Sequence, residues 1–77
     1  MGTYKIVAGT TDKKGNAQHQ YNVITKNNMD ADIQVYQTDT GELYCVEVGP
    51  YSERKQLLQN LDKIKGLGIT NAFITNA

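Results

Sequence analysis

Apolar side chains recur at every second position in four stretches of this chain and at every third or fourth position in two, which predicts four strands and two helices. The stretch Leu43 to Tyr51 opens with the clearest strand, 43–48: Tyr44, Val46 and Val48 share one face, and Cys45 and Glu47 share the other. Gly49 and Pro50 are expected to stop it, because proline has no N–H for a ladder. From Ser52 the period becomes helical, with Leu57, Leu58, Leu61 and Ile64 on one stripe and charged or amide side chains elsewhere. Tyr4 to Gly9 reads as a first strand, with Tyr4, Ile6 and Ala8 in one phase and Lys5 and Val7 in the other. A turn region follows, in which Asp12 is the expected helix N-cap. The first helix turns Ala17, Gln20, Tyr21 and Ile24 inward and stops at Asn27-Asn28. Residues 31–37 alternate again, with Ala31, Ile33 and Val35 inward and Asp32, Gln34 and Tyr36 outward. Thr38-Asp39-Thr40-Gly41 carries turn chemistry, so this strand and the one from Leu43 form an antiparallel hairpin. Gly66 and Gly68 end the second helix, and Asn71 to Thr75 is a short final strand through Phe73.

The order strand, helix, strand, strand, helix, strand predicts an α+β fold of the ferredoxin-like split βαββαβ type. Strands fall near 4–9, 31–37, 43–48 and 71–75, and helices near 14–27 and 53–66. Each helix has one apolar stripe, with Leu61 and Ile64 expected to be buried in the second, so the helices cover one face of a four-stranded antiparallel sheet and leave the other open. The halves also match at a constant offset of forty residues. Tyr4 aligns with Tyr44, Gly9 with Gly49, Ala17 with Leu57, Ile24 with Ile64, Met29 with Ile69 and Ile33 with Phe73, which implies two βαβ repeats, about 4–36 and 44–76.

Composition narrows the possible functions. Seventy-seven residues make a single domain, one that buries only roughly 60 to 65% of its unfolded surface. Eight basic and eight acidic side chains cancel, four of each in residues 1–40 and four of each in 41–77, so no basic footprint for nucleic acid or anionic membrane is present. Cys45 is the single cysteine, which excludes an internal disulfide and a cysteine-based metal site. No apolar run approaches the ~20 residues of a membrane helix, and a signal peptide's blocks are missing. Met1-Gly2 reads as an added start, which implies a module excised from a larger protein.

No set of side chains converges on catalysis. Cys45 has no basic residue or helix start implied beside it to lower its pKa, and His19, the one histidine, lies on a polar helix face. Asp32 alternates onto the sheet face while Asp30 lies in a turn, and both lack the apolar pocket that raises a catalytic carboxyl's pKa. Tyr36 carries more: an aromatic ring on an open sheet face is a flat apolar platform with a polar tip. A base-stacking nucleic-acid reader of the same topology is disfavoured, because Cys45 and Glu47 stand where that sheet needs aromatics and the net charge is zero.

Tyr44-Cys-Val-Glu-Val-Gly-Pro-Tyr-Ser, the Arg/Lys-led helix after it, then Leu67-Gly68-Ile69 and Ala72-Phe73-Ile74, resemble the second repeat of the SPOR (sporulation-related) domain, and Tyr4-Lys-Ile-Val-Ala-Gly resembles a degraded first copy. The resemblance implies a non-catalytic module that binds peptidoglycan glycan strands. It implies an extracellular place at the bacterial wall, on a bacterial or phage lysin, and a covalently linked wall hydrolase of the amidase kind. Neither cofactor nor metal is expected, and nucleic acid and membrane are not expected partners. It also implies a glycan groove on the open sheet face, lined by Lys5, Val7, Gln34, Tyr36, Cys45, Glu47 and Ile74 in the outward phase and by Thr10 at the mouth of the first strand. Val7 and Glu47 depart from the family's glutamine positions, and Thr10 stands where the family has serine or alanine. The remaining alternative is a regulatory or protein-interaction domain of the same ferredoxin-like fold.

Overall fold

The computed structural model describes residues 2–77. Strand β1 (Tyr4–Thr11) is followed by helix α1 (Lys14–Lys26), the hairpin of β2 (Ala31–Thr38) and β3 (Gly41–Tyr51), helix α2 (Arg54–Gly66) and strand β4 (Phe73–Asn76). The strands form one antiparallel sheet in the order β2-β3-β1-β4. Both helices pack on the same face, where Ile6, Ala8, Val46, Val48 and Tyr51 from the sheet meet Ala17 and Ile24 of α1 and Leu57 and Ile64 of α2. The predicted fold class is the one observed, and among the described residues no layer covers the second face.

Each helix keeps a fully buried residue one turn from its C-terminus, Ile24 in α1 and Ile64 in α2, while Tyr21 and Leu61 are half-buried at the margin of the core. Leu61 is therefore less buried than its place on the apolar stripe predicts; Leu57 and Ile64 are the residues of α2 that the core encloses. Asp12 does not cap α1. The N-cap is Lys13, which makes no side-chain cap bond, and the hydroxyl of Thr11 accepts the Lys13 N–H at 3.1 Å. Asn28 ends the helix as expected, with a positive φ of 62°.

Two departures from strict alternation shape the central strand pair. The β1–β3 register runs Ile6 opposite Val48, Val7 opposite Glu47, then Gly9 opposite Val46, so Ala8 is an extra residue bulged into the core. The bulge shifts the phase, so that Thr10, in step with Ile6 and Ala8 by plain alternation, lies opposite Cys45 on the open face. At the other end the extra residue is on β3, which does not stop at Gly49-Pro50 but continues to Tyr51, opposite Tyr4. Gly49 takes a φ of 122° that a side chain would oppose, and its N–H donates to the Asp30 carbonyl at 3.0 Å. The bulge turns Tyr51 inward, and the phenol ring closes that end of the core.

Because Ile64 is completely enclosed, Ile64→Ala is expected to cost about 2 to 5 kcal/mol in denaturant unfolding, whereas Leu58→Ala, at an exposed position of the same helix, should cost under about 1 kcal/mol. Equal losses at the two positions would contradict this packing.

Candidate glycan-binding face

Residues opposite one another in an antiparallel sheet share a face, so the register places the open-face side chains in rows. One row crosses the whole sheet: Phe73 on β4, Val7 on β1, Glu47 on β3 and Asp32 on β2. The next holds Thr10, Cys45 and Gln34, with the Thr10 hydroxyl 3.7 Å from the Cys45 sulfur. Leu43 and Tyr36 form a third row at the hairpin end, and Lys5 with Thr75 a fourth at the other. Seven of the eight sequence-derived positions, Lys5, Val7, Thr10, Gln34, Tyr36, Cys45 and Glu47, thus come together on one surface.

Ile74 does not. It stands opposite Ile6, on the helix side, and lines a hollow with Tyr4, Leu57 and Leu58. Its neighbour Phe73 takes the place expected of it, with the ring 54% exposed beside Val7. The run Ala72-Phe73-Ile74 that leads into the last strand is apolar in both phases, so alternation could not assign its faces. The forty-residue offset, which aligns Phe73 with the inward Ile33, pointed the wrong way because β4 lies out of phase with β2 over this stretch. The cross-sheet pairing with β1 is the signal that identifies Phe73. Leu43, Asp32 and Thr75 also belong to the face.

Glu47 and Val7 in the middle row are only 9% and 8% exposed although no layer covers them. Their neighbours shield them, and Lys5 reaches diagonally across to donate to Glu47 Oε1 at 2.8 Å. The hydrogen bond to this carboxylate raises the Lys5 ammonium above its ordinary 10.5, with desolvation opposing the shift. On β2, Asp32 accepts a hydrogen bond from the Gln34 amide and another from the Ile33 N–H at 2.9 Å. With Lys5 against Asp32 and Glu47, the face carries one cation and two anions, an arrangement that repels phosphate chains. Its aromatics, Tyr36 and Phe73, stand at opposite edges, about half exposed, with polar side chains between them. Apolar rings at the ends and amide, hydroxyl and carboxylate groups between suit a ligand with flat apolar faces and hydroxylated edges.

No three His, Cys, Asp or Glu side chains among the described residues cluster to hold a metal, and no described helix is long and apolar enough to cross a membrane.

A sheet with helices on one side and a mixed aromatic and polar face on the other defines an open-faced α+β domain. Within that class, the chain belongs to the SPOR domain family, whose profile matches residues 1–76. Among solved structures, it resembles the RlpA SPOR domain from Pseudomonas aeruginosa at a TM-score of 0.84 and 16% identity, over 99% of this chain and all of that one. It also resembles the peptidoglycan binding domain of the B. subtilis cell wall lytic enzyme CwlC at a TM-score of 0.75 and 25% identity, over all of this chain and 91% of that one. No curated protein matches the chain.

Three groups tie stability to alkaline pH with the same sign. Beside Lys5, the Tyr44 phenol is raised above 10.0 by its hydrogen bond to Glu42, and Tyr51 is raised by burial and by Asp30. A raised pKa means that the folded state holds the proton more tightly, so the contribution is complete below about pH 10 and is lost as pH climbs through the folded values. The thermal midpoint is therefore expected to hold level from about pH 7 to about pH 9 and to fall above about pH 10, with a shallower fall in Glu47→Gln. A midpoint that stays level to about pH 11 would contradict the assignment.

Proposed function

We propose that this chain is a non-catalytic module that binds the glycan strands of peptidoglycan across its open sheet face and holds an attached wall hydrolase, of the amidase kind, at the bacterial cell wall. The observation that carries the reading is the uncovered face itself, a sheet surface that presents Tyr36 and Phe73 at its edges and Thr10, Gln34, Cys45 and the Lys5–Glu47 pair between them. Membership of the SPOR family and the likeness to the CwlC domain, named for peptidoglycan binding, support the choice of ligand. The chemistry belongs to the linked domain, because the face offers no nucleophile with a base beside it and no carboxyl poised as an acid. Glu47 is committed to Lys5 and Asp32 to Gln34.

On this reading Tyr36 and Phe73 are platforms for sugar rings and Gln34 is a hydrogen-bonding group, while Lys5 and Glu47 shape the floor between them. Loss of either ring leaves the fold intact, since both are about half exposed. The test is a pull-down with purified peptidoglycan, before and after an amidase has removed its peptides. Tyr36→Ala and Phe73→Ala are expected to bind stripped walls several-fold more weakly than the parent, with unchanged circular dichroism. Folded variants that bind as well as the parent would refute the sheet-face site.

A further inference from the structure

Strand β4 is shorter than the strand it lies against. Its last pair with β1 is Phe73 opposite Val7, yet β1 continues four residues to Thr11. Beyond Val7 the β4 side of β1 faces the α2–β4 connection instead of a strand, which leaves a notch of about 460 Å³ that wraps around the edge of the sheet. Val7, Thr10 and Phe73 line it on the open-face side, Gln20 and Ile69 on the helix side, and Asn71 between them. No lining residue is charged. Gln20 projects from α1 over Gly9, where a Cβ would stand 2.9 Å from Gln20 Nε2 and closer still to Oε1. The absence of a side chain at Gly9 is thus what admits the amide, and among the described residues that amide has no hydrogen-bond partner.

We propose that this notch is a subsite for the acetamido group of an N-acetylated sugar that leaves the sheet face at the β4 edge, with Gln20 as its hydrogen-bonding residue. The proposal rests on the glycan reading above and adds to it a basis for selecting N-acetylated sugars. An acetamido group offers one N–H, one carbonyl and a methyl. The free Gln20 amide can accept from the first and donate to the second, and Phe73, Val7 and Ile69 give the methyl an apolar wall. The uncharged lining suits a neutral amide and disfavours the ammonium left when the acetyl group is removed, because no carboxylate is present to pair with that charge. Val7, Thr10 and Phe73 belong to both the notch and the open face, so one saccharide chain can occupy both.

The test measures calorimetric affinity of the parent, Gln20→Ala and Gly9→Ala for amidase-stripped glycan strands and for the same strands after chemical removal of their N-acetyl groups. Gln20→Ala removes the amide, and Gly9→Ala displaces it while leaving it in the chain. Each variant is expected to bind N-acetylated strands roughly threefold to tenfold more weakly than the parent, the share of one net hydrogen bond, and to bind de-N-acetylated strands as weakly as the parent does. Unchanged binding of N-acetylated strands by Gln20→Ala overturns the notch alone, as does an equal loss on both polymers. A parent that binds neither polymer overturns the glycan reading and the notch with it.

Discussion

Two thirteen-residue helices, each with a single apolar stripe, have enough buried surface to cover one face of a four-stranded sheet and no more, and the arrangement of this domain follows from that limit. Ile24 and Ile64 are the deepest points of the two stripes, and both press on the same side of the central strands through Ile6, Val46 and Val48. The second face must then hold itself together without a covering layer. It does so within the sheet: Lys5 leans over Glu47, Phe73 flanks Val7, and Asp32 and Gln34 bond to each other along β2. The open surface is therefore ordered by contacts within the sheet alone.

The elements of the two halves recur at forty residues with little drift. Helix α1 spans Lys14–Lys26 and α2 Arg54–Gly66, and the left-handed positions after them are Asn28 and Gly68. The sheet order interleaves the halves, so that β1 and β3, the corresponding strands, lie side by side in the centre. Each carries one bulge, at Ala8 and at Gly49-Pro50, and each shifts the phase of the residues beyond it: Thr10 is turned to the open face and Tyr51 into the core, each opposite to plain alternation. The correspondence lapses in the last strand, where β4 pairs only with Tyr4–Val7 and leaves the far end of β1 open.

These features mark how far the sequence could be read. Helix positions and the hairpin were legible because Ala17 and Ile24, Leu57 and Ile64, and the alternation of residues 31–37 fit a single period each. Six outward side chains, Lys5, Val7, Gln34, Tyr36, Cys45 and Glu47, were legible for the same reason, and Thr10 was legible only through the family resemblance. Bulges were not, because they break the alternation that reveals strands: a residue such as Ala8 is apolar whether it lies in phase or out of it. The Gly-Pro pair signals an end to pairing, and only the register shows that β3 passes through it to bury Tyr51. Phe73 and Ile74 are both apolar, so which one faces outward is decided by the strand beside them. Asp12 was a plausible cap by residue type, but helix α1 starts later and Thr11 supplies the local hydrogen bond.

The proposed function requires a ligand to bind on the face the helices leave bare. A titration of the isotopically labelled domain with soluble, peptide-free glycan strands, followed by backbone amide chemical shifts, tests it most directly. The largest shifts are expected on Val7, Thr10, Gln34, Tyr36, Cys45, Glu47 and Phe73, with small shifts along the solvent sides of α1 and α2. Shifts centred instead on Arg54, Leu58 and Ile74, on the helix side of the sheet, would contradict it.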